Sequence, residues 1–175
     1  MNFIYGSIYI FAAWKWGDWR NWRVYYPTIL FFIIGDLFYH FIFYDYFPLW
    51  KFEPVPKDKQ LGLTGVHISL LIMCIKYPCT ILIYLGNFPT GRLSKQFIYI
   101  AMWVMIYATN EFITHALGGI KHYNGWNEWW SFSFNIVMFS ILAIHHFRPV
   151  ISWVLSIFYI LVLWNIFDVP SLVFR

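Results

Sequence analysis

Long apolar runs separated by short polar segments make up nearly the whole chain, and the runs have the length of membrane-spanning helices. A helix of about 20 mostly apolar residues crosses the hydrocarbon core of a bilayer. Five runs meet this requirement, at residues 24–47, 63–85, 97–117, 129–145 and 150–167. The pattern therefore predicts five transmembrane helices along this part of the chain.

A sixth apolar segment, residues 3–14, is shorter than the others. At about 1.5 Å per residue it covers only about 18 Å, so it spans a bilayer only if the helix continues through the Trp-rich stretch at residues 14–23. We predict an all-α fold, an integral membrane bundle of six transmembrane helices, with five plus a short N-terminal interfacial helix as the alternative. No linker in the sequence is long enough to separate two domains, so we expect residues 1–175 to form one domain.

The polar segments between the runs predict an orientation in the membrane. Residues 48–60 contain three prolines and several charges, which is typical of an exposed loop. Cytoplasmic segments of membrane proteins collect Lys and Arg, and one set of alternate segments carries slightly more of these residues. On this basis we predict that residues 48–60 and 122–128 face the outside, with Arg20, Arg92 and Arg148 inside.

Composition indicates that lipid is the main solvent of this chain. Apolar residues make up 61% of the sequence and charged residues only 11%, whereas a soluble domain carries about 25% charged residues. The net charge of +4 is spread singly among aromatic residues, without the basic stripe that follows a phosphate backbone. We therefore expect the lipid bilayer as a partner and no nucleic acid, while a homo-oligomer stays open.

Aromatic and turn-rich motifs are spread along nearly the whole chain. They are Trp16-Gly17-Asp18-Trp19, Tyr25-Tyr26-Pro27-Thr28-Ile29-Leu30-Phe31-Phe32, Tyr77-Pro78, Leu85-Gly86-Asn87-Phe88-Pro89, Tyr123-Asn124-Gly125-Trp126-Asn127 and Phe167-Asp168-Val169-Pro170. Together they resemble an uncharacterised family of small multi-pass membrane proteins from Bacillus-like spore-forming bacteria. The resemblance implies a location in a bacterial plasma membrane, and it implies no activity and no site residue.

Polar side chains at membrane depth are the strongest functional signal in the sequence. A charged side chain near a helix centre costs about 2.5–3.5 kcal/mol on insertion scales, so such residues usually face the bundle interior or a wet cavity. We predict that seven polar residues from four helices form one outward-opening cluster: Asp36, His40, His67, Asn110, Glu111, His115 and Asn135. Within it, we expect Glu111 to reach His40, His67 or Asn135, directly or through one water.

Lys76 lies near the middle of its predicted helix, about 13 Å from the inner end by the helical rise. A lysine stem reaches about half that distance, so its ammonium group is too deep to be well solvated at the interface. Asp36 is the central acid on the neighbouring predicted helix. The sequence therefore predicts a midplane ion pair between Asp36 and Lys76.

Three classes of function fit this pattern. The favoured class is a transporter or channel for a small solute or ion that uses the polar cluster. In the second class the protein is structural or regulatory, and its polar residues only fasten helices together. In the third class imidazole and carboxylate groups hold a metal ion or a haem, although the sequence identifies neither metal nor cofactor. No serine lies in the Gly-x-Ser-x-Gly motif that is typical of a nucleophilic serine. An enzyme is therefore the less favoured interpretation.

Overall fold

Helices joined by short turns and one two-stranded ribbon make up the structure, a computed structural model that describes residues 2–174 and the side chains of residues 5–173. The α-helices are α1 (Asn2–Trp16), α2 (Trp22–Ile42), α3 (Pro56–Gln60), α4 (Gly65–Leu71), α5 (Tyr77–Gly86), α6 (Leu93–Ala116), α7 (Glu128–Phe147) and α8 (Pro149–Ile166). A π-helical turn, Ile72–Lys76, joins α4 to α5, and 3-10 turns occupy Trp19–Asn21 and Ser171–Phe174. The mainly helical fold agrees with the apolar pattern of the sequence.

Five helical segments of the described chain are long and apolar enough to cross a membrane. They are Trp19–Ile42, Gly65–Gly86, Leu93–Ala116, Glu128–Phe147 and Pro149–Ile166. Only 17% of the apolar window of α6 and 11% of that of α8 are buried within the protein, as expected for helices that face lipid. The N-terminal helix α1 has 15 residues, fewer than the about 20 that a span requires.

The all-α prediction agrees with the mainly helical structure, but it did not include a short antiparallel ribbon. Strand β1 (Trp50–Phe52) pairs with β2 (Ile120–His122), so that Trp50 lies opposite His122. Three residues are too few to show the alternation of apolar and polar positions that identifies a strand in a sequence. The ribbon joins residues 48–60 to the start of residues 122–128, the two segments that were predicted to face the same side of the membrane. We call the end of the bundle that carries this ribbon the ribbon end.

Boundaries at the ribbon end also differ from the sequence prediction. Helix α2 ends at Ile42, five residues before the end of the predicted apolar run, and turns follow it. Gly118 adopts a φ of +73°, a left-handed conformation that ends α6 and turns the chain into β2. Asn127 caps α7, since its side-chain oxygen accepts hydrogen bonds from the backbone N–H groups of Trp129 and Trp130. The segment between α6 and α7 is therefore fixed at both ends.

Aromatic and aliphatic side chains of α2, α5, α6 and α7 form the main core. Tyr84 and Phe139 are fully buried there, with ring centroids 5.2 Å apart. The Tyr84 hydroxyl donates a hydrogen bond of 2.9 Å to the Phe139 carbonyl oxygen, which satisfies its polar end. This core holds α6 and α7 against the discontinuous α4–α5 segment, which carries Lys76 and Tyr77.

The end opposite the ribbon contains a closely packed turn around Asp18. Its carboxylate accepts hydrogen bonds from the Asn21 side chain (2.9 Å) and the Tyr25 hydroxyl (2.8 Å), which lower the pKa of Asp18. A Cβ added at Gly86 would lie 2.7 Å from the Asp18 Cβ, so only glycine allows this approach. Two of the turn motifs in the sequence thus pack directly against each other.

Candidate functional site

The side chains predicted to form one cluster separate into distinct groups in the structure. Consecutive residues of an α-helix point about 100° apart, so Asn110 and Glu111 face different neighbours. Nδ2 of Asn110 donates to the Tyr9 hydroxyl of α1 (3.1 Å), whereas the Glu111 carboxylate contacts Ser131 of α7 and His122 of β2. The single outward-opening cluster is therefore replaced by polar groups on both sides of α6 and a further pair on α2.

Asp36 and His40 form that pair, and their neighbours close it. Nδ1 of His40 lies 2.9 Å from the Asp36 carbonyl oxygen and 3.4 Å from Asp36 Oδ1, while His40 Nε2 lies 2.9 Å from Ser69 Oγ. The Tyr77 hydroxyl donates to Asp36 Oδ2 at 3.0 Å. Both ring nitrogens of His40 are thus engaged within the protein, and neither is left to bind a metal ion or a solute.

His67 and Asn135 lie apart from the other predicted residues. His67 is exposed and forms a capping box at the start of α4, in which its Nδ1 accepts from the Thr64 backbone N–H (3.2 Å). Asn135 is buried on α7, and its Nδ2 atom has no hydrogen-bond partner within the described residues. His67 therefore terminates a helix, and Asn135 belongs to the helix interface.

A cavity of about 160 Å³ lies between α1, the π-helical turn and α6. Its polar wall includes Tyr9, Lys76, Asn110 and Thr114, together with Tyr5 and Ser7, and its apolar wall includes Ile68, Leu71, Ile72 and Ile75. Phe52 of β1 also lines it. The cavity therefore extends from the ribbon end of the bundle to the lysine that ends the π-helical turn.

The predicted ion pair between Asp36 and Lys76 is not formed within the described residues. Tyr77 contacts Asp36, and Lys76, one residue earlier and therefore about 100° around the helix, faces elsewhere. Its Nζ atom lies 4.3 Å from the ring centroid of Tyr107 and 5.6 Å from that of Tyr9. Cation–π contacts replace the ion pair, and the lysine keeps its ammonium group on the cavity wall.

Hydrogen-bond donors converge on the cavity. The Tyr9 hydroxyl accepts from Asn110, so its own proton is available to a guest. Thr114 Oγ1 donates to the Asn110 carbonyl oxygen at 2.7 Å. The Lys76 ammonium beside Tyr9 thus adds a positive charge and further donors to the Tyr9 hydroxyl proton, while Thr114, whose proton is donated to Asn110, presents only an acceptor oxygen.

A second polar group lies on the other side of α6, at the ribbon end. Glu111 Oε1 accepts a hydrogen bond of 2.5 Å from Ser131 Oγ and lies 3.4 Å from His122 Nε2. The sequence predicted that Glu111 contacts His40, His67 or Asn135. In the described structure its partners are Ser131 and His122 instead. One turn further along α6, His115 Nδ1 lies 2.5 Å from Glu128 Oε1.

Three of these side chains have the spacing of metal ligands. One ligand atom from each of His115, His122 and Glu128 lies within 4.8 Å of the other two, and the two imidazole centroids are 4.5 Å apart. The side chains of His115 and Glu128 are 43% and 38% exposed, so an ion can reach them from water. This group and the Lys76 cavity each bring together polar side chains from several elements of the described structure.

Sequence reasoning singled out His115 but missed His122, Glu128 and Tyr9. In the sequence, His122 and Glu128 are in the polar segment between two apolar runs and Tyr9 is in the short first run, so helical periodicity did not assign their neighbours. The spacing His-x6-His-x5-Glu from residue 115 to residue 128 is present in the sequence. It becomes a group only because Gly118 and the ribbon turn the chain back on itself.

Comparison with known proteins gives no further identification. No protein-family model, curated protein or solved structure matches this chain.

Proposed function

We propose that this protein is a multi-pass protein of a bacterial plasma membrane that carries a small anionic solute, and that the solute binds in the cavity beside Lys76. The observation that carries the proposal is a lysine on a cavity wall, at membrane depth, without a carboxylate in contact. A charge in this position is costly, and intramembrane ionisable residues are usually retained for function.

The charge and donors of the cavity favour an anion. Lys76 and the Tyr9 hydroxyl offer donors to one region of the cavity, and a carboxylate placed there accepts from both. Asp36 is held by Tyr77 and His40, and Glu111 by Ser131, so neither acid competes for the ammonium group at contact distance. A cationic guest would instead meet the positive charge of Lys76.

The size and apolar wall of the cavity limit the solute. One water molecule requires about 10–15 Å³ of cavity volume. A cavity of about 160 Å³ therefore has room for about ten waters, or for a solute of up to about ten non-hydrogen atoms. Ile68, Leu71, Ile72 and Ile75 suit an apolar body attached to the anionic group. A short aliphatic or aromatic monocarboxylate has this combination.

The interrupted helix next to the cavity is consistent with a solute site. A π-helical turn widens the backbone between α4 and α5, and Pro78 follows it at the start of α5. Such turns often occur at functional positions, and transporters commonly bind their solutes where a transmembrane helix is discontinuous. Lys76 is the last residue of this turn.

The test is uptake of radiolabelled acetate and benzoate into proteoliposomes that contain the purified full chain. We expect uptake above that of empty liposomes, and we expect Lys76→Met to abolish it because the charge that pairs with the carboxylate is removed. Lys95→Met is the matched control, since Lys95 is an exposed lysine at the other end of the bundle and should leave uptake unchanged.

Two results would contradict the proposal. Wild-type protein that gives no uptake of either anion would favour the class in which polar residues only fasten helices. Equal uptake by wild type and Lys76→Met would mean that solute passes elsewhere. The melting temperature of each variant in detergent separates loss of uptake from loss of fold.

A further inference from the structure

We propose that His115, His122 and Glu128 bind one divalent transition-metal ion, with zinc as the ion that fits best. The three ligands come from the last turn of α6, from β2 and from the first residue of α7. This site is separate from the Lys76 cavity, since none of its three residues lines that cavity.

The spacing of the ligand atoms suits a single ion. Zinc binds imidazole nitrogen at about 2.0–2.1 Å and carboxylate oxygen at about 2.0–2.2 Å, which in a tetrahedral site places ligand atoms about 3.3 Å apart. The three atoms lie within 4.8 Å of one another, and His115 Nδ1 and Glu128 Oε1 are already 2.5 Å apart. These separations lie within about 1.5 Å of that value, so side-chain movements of about an ångström are what one ion requires of the three residues.

The backbone holds the three ligands in place. His122 is fixed by the ribbon, where it lies opposite Trp50, and Tyr123 N–H donates to the Leu49 carbonyl oxygen at 2.8 Å. Glu128 directly follows Asn127, the N-cap of α7. His115 is on the last turn of α6, before the left-handed Gly118. Preorganised ligands of this kind bind a metal ion without ordering a loop.

Glu111 positions His122. Its Oε1 atom lies 3.4 Å from His122 Nε2 and is itself oriented by Ser131 Oγ at 2.5 Å. Metal-binding histidines commonly have a carboxylate on the second ring nitrogen, which fixes the tautomer and the ring orientation. The side chains of His122 and Glu111 are only 8% and 22% exposed, so this contact is screened from water.

The chemistry of the ligands selects the kind of ion. Two imidazoles and one carboxylate suit zinc and its neighbours in the first transition row, whereas calcium and magnesium require mostly oxygen ligands. Three protein ligands leave a fourth position open on a tetrahedral ion. The partial exposure of His115 and Glu128 allows water to occupy that position.

The test uses the full chain purified in detergent with a tag that contains no histidine, stripped with EDTA and freed of the chelator. Zn²⁺ is titrated by calorimetry, and Co²⁺ is added separately to record the visible absorption of a histidine-bound ion. We expect one Zn²⁺ per chain. At a free Zn²⁺ concentration of about 100 Kd, the melting temperature should rise by about 5–10 °C.

Variants identify the ligands. His115→Gln, His122→Gln and Glu128→Gln should each remove the Zn²⁺-dependent rise in melting temperature, and Glu111→Gln should weaken Zn²⁺ binding by about 10- to 100-fold as a positioning residue. His67→Gln is the matched control, because it removes another exposed imidazole while a glutamine still suits the capping box. It should bind Zn²⁺ as the wild type does.

The proposal is overturned if the wild type shows no saturable binding of Zn²⁺, or if the three ligand variants bind it with wild-type affinity. Should a histidine variant lose its fold, Glu128→Gln still decides the question, since substitution of a partly exposed side chain has little effect on stability. Anion uptake through the Lys76 cavity is measured in other variants, so either proposal can fail without the other.

Discussion

Two histidine–carboxylate pairs in the structure differ in how much of their hydrogen-bonding capacity is used within the protein. In the first, Asp36 and His40 are four residues apart on α2, with side chains only 8% and 18% exposed. In the second, His115 and Glu128 come from different helices and are 43% and 38% exposed. The polar atoms of the first pair are hydrogen-bonded within the protein. The second pair is partly open to water and lies next to His122.

This difference shows why the presence of imidazole next to carboxylate does not by itself identify a site. A pair at i,i+4 spacing on one helix forms from local geometry, and Ser69 and Tyr77 then complete its hydrogen bonds. The pair assembled by tertiary contacts has the ribbon and a helix cap to hold it, and its outer face stays accessible. The closed pair serves stability, and the open pair has the means to bind an ion.

The largest expected effect distinguishes the two pairs by stability. Asp36→Ala removes the acceptor of the Tyr77 hydroxyl and a partner of His40, and we expect it to lower the free energy of unfolding by about 3 kcal/mol. Glu128→Ala, measured in EDTA, should cost no more than about 1 kcal/mol because that pair is exposed. Reversible unfolding in detergent micelles measures both, and equal losses would mean that the two pairs do not differ as described.

The helical part of the fold was predictable because membrane spans leave a strong signal. All five apolar runs correspond to helical segments that could span a membrane, and the short first run corresponds to α1, a helix of only 15 residues. Depth along a helix follows from counting residues, and Asp36 and His40 are on one face as the i,i+4 spacing requires. Whether α1 crosses the membrane depends on the helices and lipids around it, and the number of residues in α1 does not determine this.

The candidate sites were less predictable, because they depend on rotation and on tertiary pairing. Residues at equal depth were expected to meet, yet Asn110 and Glu111 point about 100° apart around α6 and contact different helices. Lys76 is the last residue of a π-helical turn, which no apolar periodicity reveals. His122 meets His115 only through the ribbon, whose strands have three residues each. The sequence therefore did not predict which way each helix is rotated about its axis or where the short strands pair.

An effect of intermediate size concerns the lysine that neither pair contacts. We expect a double-mutant cycle of Lys76→Met with Tyr107→Leu to show a coupling energy of about 1–2 kcal/mol, as for a desolvated cation–π contact. Tyr107→Phe is the control, because it keeps the ring and removes only the hydroxyl that contacts Thr80. Its cycle with Lys76→Met should show less coupling than the leucine cycle.

The same measurement can decide in favour of the ion pair predicted from sequence. A cycle of Lys76→Met with Asp36→Asn is made under the same conditions. A coupling energy larger than that between Lys76 and Tyr107 would place the ammonium group on the carboxylate of Asp36. The first pair would then include a third charged member, and the cavity would lose the free cation on which the proposed solute site depends.

The smallest expected effect comes from His67, an exposed imidazole at the ribbon end that belongs to neither pair. Its Nδ1 atom accepts from the Thr64 backbone N–H at 3.2 Å and lies 2.8 Å from Thr64 Oγ1, so its role is to cap α4. We expect His67→Ala to lower the free energy of unfolding by about 1 kcal/mol, the usual cost of losing a cap. His67→Gln should cost less than half of that, because glutamine at this position makes the same reciprocal hydrogen bond. Both variants are measured by unfolding in detergent with EDTA present and then with Zn²⁺. A Zn²⁺-dependent stabilisation that disappears in both variants would add His67 to the metal ligands, and the contrast between a capping histidine and a metal-binding one would no longer hold.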